Sequence, residues 1–422
     1  MNFFLAIPIE ARLAAVFLAG TCLGSMANWA IYSLAWNARP ISPWSRPHPD
    51  APPRCPCSRV PVFGWFGLRQ ESILHGAGFW IRPMLLEVFF GLGLAWLYWW
   101  ETEAMGLLPA GVAHFLPPPF LTILHLRLHQ QFVAHAILAT LMLAASMIDT
   151  DEKIIPDEIT IVGTLLGLLA AAACPWSLLP YVDLMNGPPT LAFMHAASPE
   201  AWPGWLDGRP CIGSLGIALG CWLAWCFALL PRVWRGRHGF RRAVQFFFAR
   251  LAREPSTYRI FRMAVMGGIA IAVVWFRGGE GWRALLSSLV GMAAGGGLVW
   301  AVRIIGSAVL QREAMGFGDV TLMAMLGAFL GWQAAFIIFF LAPFAGLAVA
   351  VLRLVLFRDK EIPYGPFLCL AAMFLIVCWR FVWNYAAGAF SLGWFVPLAI
   401  LCCLALMAGM LGLWRLILRA IT

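Results

Sequence analysis

The sequence predicts an all-α polytopic membrane protein of about ten to eleven transmembrane helices, with a small irregular cytoplasmic loop domain near its N-terminus. Three observations predict it. Apolar residues make up 62% of the 422 and charged residues only 12%, too little polar surface for a soluble chain of this length. Mainly apolar stretches of roughly twenty residues, enough to cross a bilayer, recur along the chain. The arginines gather in a few loops, and those loops can all lie on one side, as the positive-inside rule requires. The net charge of +9 is therefore juxtamembrane. It points to membrane lipids and not to nucleic acid as the surrounding partner.

The first span covers about 11–36 and contains Gly24-Ser25-Met26-Ala27-Asn28, a small-polar patch suited to close helix packing. Residues 1–12 lack a basic start and a small-residue cleavage site, so this span is expected to be retained. A Pro/Arg-rich loop, 37–80, precedes the second span, 82–100, in which Glu87 is an acid well inside an apolar run. A polar, proline-rich stretch at 101–130 leads to spans at about 132–148 and 155–179. Another outer stretch, 180–210, leads to spans at 212–230 and 263–276, the latter short. Between these two, 232–262 carries nine arginines with Phe246, Phe247 and Phe248 among them. It reads either as an amphipathic surface helix or as a solvated basic loop. Spans at 284–305, 319–332, 334–357, 367–382 and 392–416 complete the chain.

The loops 37–80, 232–262, 303–312 and 353–360 are the arginine-rich ones. Placing them in the cytoplasm alternates correctly with the spans and puts the N-terminus outside. Four spans separate Asp149 from Asp319, and an even number returns the chain to the same face. Both acids are thus expected at the cytoplasmic border. Nine of the eleven cysteines lie in or beside apolar runs, where they act as small apolar residues; only Cys55 and Cys57 sit in a polar loop.

The chemistry candidates are Asp149 and Asp319. Two carboxyl groups brought close together cannot both ionise easily, so one keeps a proton while the other is a base. Such a pair activates water and protonates a departing amide, with no side-chain nucleophile. Asp151, Glu152 and Asp157 are nearby alternatives for the first acid. Asp319 follows Gly316-Phe317-Gly318, in which the glycines permit φ > 0 and close approach. A plain capping role for Asp319 on a helix from Val320 to Trp332 is the competing reading. Asp149 ends its span, where the helix dipole disfavours a negative charge, whereas Asp319 begins one. By that argument Asp149 holds the proton and Asp319 is the base. His125 and His129 are four apart on an outer loop and are read as packed or solvated. Gly295-Gly296-Gly297 is read as a packing element and not as a nucleotide site.

With these residues in place, the chain resembles the type IV prepilin peptidases, membrane aspartic proteases of the Gly-x-Gly-Asp class. Gly316-Phe317-Gly318-Asp319-Val320-Thr321-Leu322 is similar to their second catalytic motif. Ile148-Asp149 followed by Ile155-Pro156-Asp157 is similar to the first. Ile362-Pro363-Tyr364-Gly365-Pro366 resembles their Pro-Phe-Gly-Pro element, and the Asn28 patch their N-terminal signature. The resemblance implies cleavage of basic leader peptides from prepilin or pseudopilin substrates, at the cytoplasmic face of a bacterial inner membrane. It implies Asp149 and Asp319 as catalytic. Gly316, Gly318, Pro156 and Asp157 would support the catalytic loop, and Pro363, Gly365, Pro366, Asn28 and Glu87 would serve substrate contact or packing.

Family members often carry two Cys-x-x-Cys pairs, associated with zinc and N-methyltransfer. Here Cys55-Pro56-Cys57 is one residue short, and Ser72 and His75 stand in place of the second pair. Cys55, Cys57 and His75 are three weak candidate ligands, short of the usual four. Zinc and methyltransfer are therefore not expected, and proteolysis by two acids requires no cofactor. Thr321 stands where the family usually has lysine.

The implied domains are 11–104 (two spans and the loop domain), 131–182 with 283–385 (the peptidase core), 183–282 (an inserted helical hairpin with the basic segment) and 390–422 (an extra span). Two readings from other classes compete. A transporter would use membrane carboxylates for proton coupling, but would place them near span centres. A non-catalytic assembly homologue would have no need to keep both acids and both glycines.

Overall fold

The computed structural model describes residues 7–39, 41–109, 118–183, 190–230, 253–311, 313, 315–356, 363–393 and 395–421. Its helices are α1 (Ile9–Ser33), α2 (Phe63–Leu68), α3 (Ser72–His75), α4 (Ile81–Tyr98), α5 (Pro118–Glu152), α6 (Asp157–Ala173) and α7 (Ile212–Leu229). They continue as α8 (Pro255–Arg277), α9 (Gly279–Leu310), α10 (Phe317–Leu330), α11 (Trp332–Leu356), α12 (Gly365–Val377), α13 (Trp379–Phe390) and α14 (Phe395–Ile421). Each expected apolar span is helical, because in lipid a helix alone satisfies every backbone group within one segment.

Among the described residues, eight helices are long and apolar enough to cross a membrane. A ninth crossing follows if α12 and α13, bent by 95°, form one. The count falls below ten to eleven because α6 has 17 residues and α10 only 14. The latter is about 21 Å of helix against a hydrocarbon core of about 30 Å. Helix α5 begins at Pro118, earlier than the expected 132. Leu124 and Leu128 are buried on its first turns and hold that stretch helical despite its polar composition. His125 and His129 therefore lie on a helix and not on a loop. Helix α8 likewise begins early, at Pro255; residues 232–252 of the basic segment, with Phe246, Phe247 and Phe248, lie outside the described residues.

Short as it is, α10 is the centre of the bundle. Every residue from Asp319 to Leu330 is buried, as expected of a helix that is apolar on all sides. Small residues bring its neighbours close. A Cβ on Gly327 would collide with the backbone of Gly291 on α9, and one on Gly163 of α6 with the Met325 side chain. Of the Gly295–Gly297 run, Gly295 faces Met323 O, which a Cβ would meet at 2.7 Å, while Gly297 faces open space. Helices α7 and α8 pack on the far side of α9 through Trp222, Trp225 and Ile271.

Glu87 holds the loop domain on the α1–α4 pair. Its buried carboxylate accepts hydrogen bonds from Asn28 Nδ2 (3.0 Å), Trp65 Nε1 (2.8 Å) and Val62 N (2.6 Å). Val62 needs this anchor, since a β-branched residue at φ 64° is strained. Within the loop domain Arg54 pairs bidentately with buried Glu71 (2.6 and 2.8 Å) and also donates to Ser42 O and Ser45 O. A buried pair is costly to break by halves, because the remaining charge is stranded. Arg54→Met is expected to destabilise this domain by about 3 kcal/mol, seen as faster proteolytic nicking within 37–80. Adding Glu71→Met should restore most of the resistance.

The end of the bundle opposite Asp149 is closed by an antiparallel hairpin, β1 (Pro180–Asp183) and β2 (Thr190–Phe193), and the turns after it. Helix side chains satisfy its carbonyls. Gln131 donates to Leu178 O, Trp379 to Pro180 O, Trp332 to Ala196 O, and Gln333 to His195 O and Ser198 O.

Candidate active site

Asp149 lies in the last turn of α5. The helix stops at Glu152, Lys153 turns the chain at φ 57°, and extended Pro156 caps α6. Asp149 is 5% exposed, and its Oδ2 accepts the Gly365 N–H at 3.1 Å. Gly365 opens α12, so its N–H is one that the helix itself cannot use. Pro366, next in the first turn, gives up no hydrogen bond there. A Cβ on Gly365 would lie 2.5 Å from Asp149 Oδ2, so only glycine allows this approach.

Asp319 is the third residue of α10 and is 8% exposed. The helix runs Phe317–Leu330, so Asp319 is not the cap residue. Gly316 is, and having no side chain it leaves its own N–H to the Asp319 carboxylate. Neither Gly316 nor Gly318 adopts the positive φ that the sequence suggested. Gly318 serves close approach instead, because a Cβ there would stand 2.8 Å from Ile155 Cβ. This contact seats the first acidic loop on the second. Arg303 of α9 braces the same loop. Its Nε donates to Met315 O at 3.0 Å, and its guanidinium stands 5.6 Å over the Phe317 ring.

The result is a cavity of about 610 Å³ lined by Asp149, Lys153, Ile155, Gly316, Asp319 and Tyr364, among others. Across it the Asp149 and Asp319 carboxyl groups act on each other electrostatically. Tyr364, just ahead of α12, has its phenol pushed up to about 12 by burial and by the Asp319 charge, so its hydroxyl stays neutral. An acid pair of this kind can hold one proton over a water molecule.

The dipole argument for Asp149 needs correction. It counted only the C-terminal end of the helix that bears Asp149. The N-terminal end of α12 meets the same carboxylate and favours its charge. Asp149 thus meets the C-terminal end of α5 and the N-terminal end of α12 together, so the helix dipoles alone do not single it out as the proton holder.

The other expected residues fall into three places. Pro363 lines the cavity, while Pro156 is buried at the start of α6 and Asp157 is exposed beside it. Of the alternative first acids, Asp151 pairs with Arg82 (2.9 Å), and Glu152 accepts the N–H groups of Trp36 and Asn37. The first ties the start of α4, and the second the chain just after α1, to the end of α5. Asn28 and Glu87 form the packing anchor described above. Thr321 accepts a hydrogen bond from Thr160 (3.0 Å), joining α10 to α6.

Cys55 and Cys57 are exposed neighbours in the loop domain. His75 lies 3.3 Å from Glu71 and packs on Phe79. Among the described residues, no three His, Cys, Asp or Glu side chains cluster so as to hold a metal ion. The Arg54–Glu71 pair braces the loop domain beside them.

Sequence comparison supplies independent findings. Residues 256–351, which include the Gly-x-Gly-Asp segment, match the type IV leader peptidase family. Similar relatives include prepilin leader peptidase/N-methyltransferases of Aeromonas salmonicida, Escherichia coli and Pseudomonas aeruginosa. The Aeromonas protein is 37% identical over 95 residues, 22% of this chain and 32% of its own length. The Escherichia protein is 34% identical over 91 residues, 21% of this chain and 40% of its own. The Pseudomonas protein is 39% identical over 77 residues, 17% and 26%. The chain thus matches about a third of the length of these relatives. No solved structure matches it.

Proposed function

We propose, from the match of residues 256–351 to the type IV leader peptidase family, that this chain is a membrane-embedded aspartic endopeptidase. It removes the basic leader of a prepilin-like or pseudopilin precursor at the cytoplasmic face of a bacterial inner membrane. One observation carries this reading: Asp149, outside the matched segment, lines the same cavity as Asp319 within it.

In the proposed reaction one carboxyl group of the pair is a carboxylate and the other is protonated. The carboxylate takes a proton from a water molecule, whose oxygen attacks the scissile carbonyl carbon. The protonated acid donates to the carbonyl oxygen as the tetrahedral intermediate forms. Collapse of the intermediate breaks the C–N bond: the carboxyl that received the water proton passes it to the leaving amine, and the other, now a carboxylate, takes back a hydroxyl proton as the carbonyl re-forms. The Gly365 and Gly316 N–H groups hold the two carboxyl groups in position. The neutral Tyr364 hydroxyl is a further donor on the cavity wall. Two acids supply both acceptor and donor, so the reaction as proposed calls for no cofactor.

The test is reconstitution in lipid vesicles with a prepilin-like precursor from the same genome, read by mass spectrometry. Cleavage to a single shortened product is expected, with a bell-shaped pH profile. Activity falls at low pH, where both acids are protonated, and at high pH, where both are ionised. A precursor left intact at every pH would overturn the proposal.

A further inference from the structure

The hairpin end of the bundle, opposite Asp149, holds a cavity of about 270 Å³. Its walls include Arg127 of α5, Trp176 in the turn after α6, Phe193 of β2, Trp202, and Arg283 near the start of α9. It shares no residue with the cavity of Asp149 and Asp319. The arginine-rich loops are expected on the side of Asp149, so the positive-inside rule gives no reason for two arginines here.

The donors of this cavity are incompletely used. Arg127 is half-buried, and its guanidinium stands 4.1 Å over the Trp176 ring. No carboxylate among the described residues pairs with it. A ring face attracts a cation, but it does not satisfy the planar fork of guanidinium N–H groups. Arg283 is held from one side only. Its Nε and Nη2 donate to Asp207 Oδ1 at 3.3 and 3.2 Å, and its Nη1 has no partner among the described residues. Trp176 is 7% exposed, and its buried indole N–H has no acceptor among the described residues. Buried donors are nearly always satisfied, so one left over calls for a partner that the chain does not supply.

The carboxylate on the cavity wall belongs to Glu280, which is exposed. Water and salt screen that charge, while Arg127 is partly withdrawn from both, so the cation dominates inside. Tyr181 and His195, bonded to each other at 3.2 Å, complete the polar side. Phe193 and Trp202 give the rest of the wall an apolar face.

We propose that this cavity is a phosphate-binding site. An arginine fork matches phosphate oxygens, and the aromatic wall suits the glycerol and first methylenes of a lipid at a membrane border. Two sources carry this chemistry, a phospholipid headgroup and free inorganic phosphate, and binding measurements separate them. A phosphate here would join α5, the turn after α6 and the start of α9. Its binding should therefore raise the thermal stability of the whole chain. The inference goes beyond the peptidase reading and does not depend on it, since no residue of the acid cavity takes part.

Thermal unfolding of the full chain in a neutral detergent tests this. The chain is titrated with dioctanoyl phosphatidic acid, with dioctanoylglycerol, which lacks the phosphate, and with inorganic phosphate. Phosphatidic acid should stabilise the wild type and dioctanoylglycerol should not. A response to phosphatidic acid alone supports the site with a lipid headgroup as its ligand. An equal response to inorganic phosphate supports it with the free ion. Arg127→Gln should weaken the binding about tenfold or more, and Arg127→Lys, which keeps the charge, should weaken it less. Glu280→Gln changes an exposed side chain and does not depend on the arginine variants folding. It should tighten the binding about twofold or more, because a repelling charge is removed. No response to either phosphate compound, or an equal response to dioctanoylglycerol, would overturn the assignment. So would an unchanged affinity in folded Arg127→Gln, or weaker binding in Glu280→Gln.

Discussion

Asp319→Asn and Asp149→Asn are each expected to reduce precursor processing on the order of 10⁴-fold, with the protein still present in the membrane at normal abundance. The asparagine side chain keeps the shape and can still accept one hydrogen bond from Gly316 or Gly365. What it cannot do is hold or exchange the proton. The double variant should be little worse than either single one, because the two acids act as a unit and removing one already disables the other. Processing assays on membranes of matched expression check both points. A single variant that retained near-normal activity would take its residue out of the reaction.

Gly365→Ala is expected to lower processing by about a hundredfold, although it changes no ionisable group. The added Cβ would lie 2.5 Å from Asp149 Oδ2 and 2.8 Å from Ile155 Cδ1. Either the start of α12 shifts or the Asp149 carboxylate turns away, and in both cases its backbone donor is lost. A displacement of about 1 Å at reacting groups suffices for a loss of that size. The effect should appear mainly in kcat, because Gly365 positions a reacting group. Alanine is ordinarily kinder than glycine to a helix, so thermal stability should change far less than activity. Unaltered kcat in Gly365→Ala would mean that the Gly365–Asp149 hydrogen bond has no part in the chemistry.

The helical segments and the meeting of the two acids were legible in the sequence for simple reasons. Apolar runs of span length declare themselves, and an even number of crossings between Asp149 and Asp319 returns the chain to one face. Glu87 was conspicuous as an acid in an apolar run, yet its partners Val62 and Trp65 lie in a loop whose path no hydropathy pattern encodes. The early start of α5 was hidden because Leu124 and Leu128 are interleaved with His125, Arg127 and His129, which dilutes the average. The hairpin at 180–193 was missed because its register depends on tertiary packing more than on its short strands.

Within the site, Arg303 and the Gly365 N–H were invisible for the same reason. Arg303 looks like one of several loop arginines until α9 is seen packed along α10. The approach of the N-terminal end of α12 to Asp149 was hidden because a sequence shows which helix bears a residue, but not which other helix points at it. The Gly-x-Gly-Asp pattern was correctly singled out for close approach. Its expected left-handed turn was not needed, since Gly316 takes an extended conformation that caps the helix directly.

The central claim is that Asp149 and Asp319 together hold one proton when the protein is active. Infrared difference spectra between wild type and the Asp149→Asn/Asp319→Asn double variant, taken across the pH range of activity, test it most directly. The account predicts one protonated carboxyl signal per protein at the activity optimum, lost on the alkaline side in step with activity. Two fully ionised carboxylates at the pH of maximal processing would contradict it.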